Sequence, residues 1–119
     1  MTWIMDSSKE NIAKELVQEF IQNISQGNVS TLSKKFGIGT ALFEEITETL
    51  DEYGLSGNEL QSPDWGKSRV SDIFQMKDPT AFGIEVNLWA RGECQEPILH
   101  AEVSFAGAQP DFRFQYIGS

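Results

Sequence analysis

From Phe82 to the C-terminus the chain alternates apolar and polar residues, after a first half whose apolar residues recur at helical spacing. Strand side chains point to opposite faces in turn, whereas helical ones return to the same face every three to four residues, so the two halves need different architectures. The apolar set of the second half reads Phe82, Ile84, Val86, Leu88, then Leu99, Ala101, Val103, Phe105, then Phe112, Phe114, Tyr116. The alternate set holds Glu85, Asn87, Trp89, His100, Glu102, Arg113 and Gln115. This one-sided pattern predicts an α+β fold, with N-terminal helices packed on one face of a curved antiparallel sheet and the other face left polar. Function is expected on that polar face.

The helical half is punctuated clearly. Ser7 followed three residues later by Glu10 matches a capping box at a helix start. Ile12, Leu16, Phe20 and Ile24, flanked by Ala13, Val17 and Ile21, then form an apolar stripe as far as Gln26, where Gly27 supplies a left-handed stop. A short helix follows over Val29 to Lys35, capped by Asn28 or Ser30, with Leu32 and Phe36 on its buried side, and Gly37-Ile38-Gly39 breaks it. Thr40 starts a third helix whose Leu42, Phe43, Ile46, Leu50 and Tyr53 face inward and which Gly54 closes.

Residues 55 to 67 read as a loop, broken by Gly57, Pro63 and Gly66, and Trp65 within it reads either as a plug lying back on the core or as an exposed anchor. Four strands follow. Arg69 to Met76 turns at Lys77-Asp78-Pro79-Thr80, Phe82 to Ala90 turns through Arg91-Gly92-Glu93, Ile98 to Phe105 turns through Gly107 to Pro110, and the last ends the chain. Hairpin-length links in sequence order make a four-stranded antiparallel meander. The expected organisation is one domain over 1–119, with helices at about 7–53, a loop at about 54–67 and the sheet at about 68–117. A chain of 119 residues, 39% of them hydrophobic, has enough apolar surface for one core.

Composition excludes several functions. With 18 acidic against 9 basic side chains the formal charge is -9, and Lys34-Lys35 is the only adjacent basic pair, so nucleic acid is not an expected partner. No run of about 18 apolar residues spans a membrane, and Met1 to Asp6 lacks the basic start and apolar middle of a secretion signal, so a cytoplasmic location is expected. The single cysteine, Cys94, placed in a polar turn beside Glu93 and Glu96, excludes an internal disulfide. His100 alone does not complete a metal site with it, and no cofactor is expected.

Two groups of polar residues stand out. The third helix carries Glu44, Glu45, Glu48, Asp51 and Glu52 without one basic residue among them. Glu44 and Glu48 are like charges one turn apart, and Asp51 and Glu52 lie at the wrong end of the helix dipole, so this run either is simply solvated or meets a basic partner. On the sheet, Glu85, Asn87, Trp89, His100 and Glu102 share the outward face, an aromatic flanked by acceptors of the kind that concentrates interface energy. His100 and Glu102, two apart on one strand, have the types of a general base and its carboxylate. With no nucleophile, phosphate loop or further carboxylate at useful spacing, they read as solvated residues and no catalysis is expected. Arg113 reads as a cross-strand partner of Glu102.

The long first helix, the Gln26-Gly27-Asn28 link into a short helix with Leu32, and the closing run of long strands resemble the cystatin-like and NTF2-like cone folds. The order differs from the usual NTF2-like one, since no strand is read between the helices. Taken with the acidic balance, the uncompensated Glu44 to Glu52 helix and the outer face of Glu85, Asn87, Trp89 and Glu102, the chain is similar to immunity proteins of bacterial contact-dependent growth inhibition and other polymorphic toxin systems. That resemblance implies a cytoplasmic, non-catalytic protein that occludes a basic toxin, such as a nuclease, through charge complementarity. The alternative is an NTF2-like small-molecule binder or minor enzyme with a pocket between helices and sheet.

Overall fold

The computed structural model describes residues 7–119. The Ser7 side chain is not among them, so the capping box with Glu10, like the packing of Trp3 and Ile4, lies outside the described residues. Three helices come first, α1 (Ser7–Gln26), α2 (Val29–Phe36) and α3 (Thr40–Glu52), followed by a 3-10 turn at Gly57–Glu59. Five strands complete the fold: β1 (Leu60–Gln61), β2 (Ser71–Gln75), β3 (Ala81–Ala90), β4 (Glu93–Ser104) and β5 (Asp111–Gly118). Gly27 and Gly54, with φ of 66° and 72°, stop α1 and α3 where left-handed backbone was expected.

The sheet is antiparallel throughout, as the alternation requires, and its order is β1-β3-β4-β5, with β2 also paired to β3. The two-residue β1 is an addition to the expected meander. It pairs with the end of β3, Leu60 opposite Ala90, while β2 occupies the same flank further back, Ile73 opposite Ile84. β3 and β4 form a tight hairpin through Arg91 and Gly92, both at positive φ (55° and 72°), the conformation of a two-residue turn whose twist matches the strands. The turn is shorter than the expected one. β4 therefore starts at Glu93, and Cys94 lies in a strand opposite Trp89 instead of in a polar turn.

One contiguous core joins the helices to the inner face. α1 contributes Ala13, Val17, Phe20, Ile21 and Ile24, a stripe rotated slightly from the expected one, so that Leu16 packs at its margin. Leu32, Phe36, Ile46 and Leu50 from α2 and α3 meet Ile84, Val86, Leu88, Leu99, Ala101 and Val103 from the sheet. Phe20 stacks on Phe112 and Phe114, with ring centroids 5.0 and 5.6 Å away, and Phe36 sets its edge against both Phe20 and Phe112. Trp65 lies back against this core with Lys14 Nζ 5.5 Å from its ring centroid, as a plug does.

Two irregularities reset the faces. Between the pairs Asn87–Ile98 and Trp89–Cys94, β3 has one residue and β4 has three, a bulge made of Gln95, Glu96 and Pro97. Between His100–Tyr116 and Ala101–Phe114 the extra residue is Gln115. That second bulge corrects one inward assignment: Tyr116 turns outward and is 52% exposed, and Ile117 takes the core position opposite Leu99.

Candidate functional site

On α3, at about 100° per residue, Glu44, Glu45, Glu48, Asp51 and Glu52 fall within one arc of about 120°, opposite the arc of Leu42, Ile46 and Leu50. The helix packs by the apolar arc, which leaves all five carboxylates exposed. Among the described residues none of them has a basic side chain within ion-pair distance, although Glu10, Glu19, Glu59, Glu102 and Asp111 each do. The acidic side chains that lack a salt bridge thus include a whole helix face.

The outer face of the sheet is built in rows set by register. One row runs Asp72, Glu85, His100, Tyr116 and the next Phe74, Gly83, Glu102, Arg113. The His100 imidazole stacks on the Tyr116 ring, 4.1 Å between centroids and 13° between planes, and its Nδ1 is 3.8 Å from Glu85 Oε1. Its Nε2 is buried without a hydrogen-bond partner among the described residues. Gln115 Nε2 donates to Glu102 Oε1 at 3.0 Å. Arg113 stands opposite Glu102 as expected, 4.0 Å away, but makes its closer contact, 3.0 Å, with Asp111.

The expected outward set divides at Asn87 and Trp89. Asn87 points to the outer side yet is only 2% exposed. Its Nδ2 donates to the carbonyls of Gln95 (3.0 Å) and Glu96 (3.3 Å), and its Oδ1 accepts from the Val70 N–H (2.6 Å). It closes the β4 bulge from across the ladder, so its reading as a solvent-facing contact residue is corrected to one of internal fastening. Trp89 is half-buried, and its indole N–H donates to the Ser68 hydroxyl at 2.8 Å. Ser68 in turn donates to the Asp64 carbonyl at 2.7 Å, which ties the loop before β2 to the outer face beside Trp89.

What remains open on the sheet adjoins α3. A groove of about 120 Å³ separates them, with Leu42, Glu45 and Thr49 on the helix side and Phe114, Tyr116 and Ile117 on the strand side. It continues past Leu42 and Phe114 into a larger space of about 460 Å³ lined by Lys34, Lys35, Phe36 and Ile38 and by β5 residues Asp111 to Phe114. The groove is lined by Glu45 with Gln115 and Tyr116, of which Gln115 bonds Glu102 and Tyr116 stacks on His100. Two groups found separately in the sequence, the acidic helix and the outward row, thereby meet along one strand edge.

Tyr116 and Phe74 are the surface aromatics that alternation missed. The signal for Tyr116 was the apolar Ile117 directly after it, a break in alternation that marks a bulge. Phe74, 37% exposed, lies over Gly83 on the neighbouring strand, where an aromatic opposite a glycine is a recognisable pairing. Among the described residues no three His, Cys, Asp or Glu side chains converge to hold a metal ion, and no helix is long and apolar enough to cross a membrane. Neither a family model, a curated protein nor a solved structure matches the chain.

Proposed function

We propose that this chain is a binding protein that neutralises a basic protein, in the manner of the immunity proteins of bacterial toxin systems, by covering its active site. The observation that carries the reading is the face of α3. Five exposed carboxylates lie on one arc with no cation paired to them among the described residues, and a like-charge pair one turn apart is mildly destabilising in the free protein. A partner's lysines or arginines would remove that repulsion on contact, and the net charge of -9 would steer the encounter. Against the small-molecule alternative, Phe20, Phe36, Phe112 and Phe114 stack on one another between helices and sheet, and the spaces beside them, against α2 and α3, are open grooves.

The test is growth rescue in bacteria that express the product of the gene immediately upstream. Co-expression of this chain should restore growth and yield an isolable complex that weakens at high salt. The triple variant Glu44→Lys, Glu48→Lys, Asp51→Lys should retain its fold by circular dichroism and lose both rescue and complex. Rescue undiminished by that variant would show that the α3 face is not the contact, and an upstream product neither toxic nor bound would sink the reading.

A further inference from the structure

We propose that the small groove between α3 and β5 seats a single arginine side chain of the partner, its stem on the apolar floor and its guanidinium between Glu45 and the Tyr116 ring. This rests on the reading above and names the residue type that anchors the partner. The groove holds about 120 Å³, the room of roughly four water molecules, so it admits one long side chain and no length of backbone. Leu42, Ile46, Phe114 and Ile117 give it apolar walls. Glu45 is the one charged residue lining it, exposed and in no ion pair among the described residues. Tyr116 also lines it, 52% exposed, with the His100 imidazole stacked on its ring at 4.1 Å between centroids.

Three demands meet in that space: an apolar stem, a positive head for the carboxylate and a flat group for the ring. Arginine answers all three. Its methylenes cover apolar surface, while its planar guanidinium pairs with a carboxylate through two parallel N–H donors and lies on an aromatic face. A lysine ammonium meets the carboxylate as a point charge and offers no plane to the ring. Charge also sets the direction of entry. Past Leu42 and Phe114 the groove opens into the space lined by Lys34, Lys35 and Arg113, of which Lys35 is held by Glu19 at 2.7 Å and Arg113 by Asp111 at 3.0 Å. That end also faces the positive, N-terminal half of α3. At the other end Glu45, Thr49 and Glu52 fall on one stripe of the helix, at i, i+4 and i+7, with no cation paired to either acid among the described residues. The guanidinium is therefore drawn to the end beside Thr49 and Ile117.

The experiment is a titration of the ¹⁵N-labelled chain, at fixed ionic strength, with the capped tripeptide Gly-Arg-Gly and with its citrulline, lysine and norleucine counterparts. Saturable shifts of the amides at 42–49 and 114–117 are expected with the arginine probe, and binding about tenfold weaker with citrulline, which keeps the shape and loses the charge. Glu45→Gln should remove that tenfold difference, and Tyr116→Leu should remove the preference for arginine over lysine. Thr49→Trp, which fills the groove, should abolish the shifts while the rest of the spectrum keeps its dispersion. Equal binding of citrulline or norleucine would overturn the arginine seat in favour of a neutral or apolar side chain. Shifts confined to Glu44, Glu48 and Asp51, or no shift at all, would overturn it too. Shifts at the groove that appear without probe and grow with protein concentration would overturn it in favour of a second copy. The basic-partner reading fails separately: growth rescue kept by Thr49→Trp but lost by the triple lysine variant would sink the arginine seat alone.

Discussion

The exposed side of α3 and the outer face of the sheet carry similar polar side chains, but the two surfaces hold them on opposite terms. On α3 the five carboxylates pair with no cation among the described residues and are exposed. On the sheet the polar groups fasten one another: Asn87 to the bulge carbonyls, Trp89 to Ser68, Gln115 to Glu102, His100 to Tyr116. A helix satisfies its own backbone, so its outward side chains are free of structural duty. A bulged sheet leaves backbone groups unpaired, and nearby side chains are drawn in to complete them. Polar residues on the sheet are therefore weak evidence for a partner, and those on α3 are stronger.

The sharpest way to break this contrast is Asn87→Leu. It strands the Gln95 and Glu96 carbonyls and the Val70 N–H on a partly buried site, and should cost about 2 kcal/mol in urea unfolding. A loss below about 0.5 kcal/mol would return Asn87 to the list of solvent-facing contacts.

Gly83→Ala probes the same face at smaller scale. A Cβ there would lie 2.3 Å from Phe74 Cζ, so the ring must swing off the sheet, at a cost of about 1 kcal/mol. In the Phe74→Ala background the same change should cost nothing further. Additive losses would mean that Phe74 does not lie over Gly83 in solution.

On α3 the expected sign reverses. Glu48→Lys replaces the Glu44–Glu48 repulsion by attraction and should stabilise the free protein by a few tenths of a kcal/mol, read as a raised thermal midpoint. It should also slow association with a basic partner at low salt. A lowered midpoint would show that Glu48 has a structural contact after all.

The smallest effect lies in the β2–β3 turn. The Asp78 carboxylate accepts from the Thr80 backbone N–H (2.9 Å) and then its hydroxyl (2.7 Å), which hold its pKa below the usual value. A depressed folded pKa contributes stability above the unfolded pKa and loses it as pH falls through the folded one. Asp78→Asn should accordingly flatten the acid limb of the stability profile slightly below about pH 4, with no change near neutrality.

Helix periods, glycine stops and strand alternation placed α1, α2, α3 and most of the sheet, because those signals are local and repeat over many residues. They also put the α3 acids opposite its apolar arc, since helical geometry alone fixes that relation. The faces of Tyr116, Asn87 and Cys94 depended on two bulges and a two-residue turn, where a single inserted residue changes the register of everything beyond it. β1 escaped notice because two residues carry no period.

The sequence by itself determined the class of fold, the core and the existence of an uncompensated acidic helix, each a consequence of spacing along one segment. Only the tertiary structure decided that α3 lies along the free edge of β5 with a groove between them, and that Asn87 and Trp89 are tied into the fold. Those relations join residues far apart in the chain. They arise from how helices settle on a twisted, bulged sheet, and no local period encodes that.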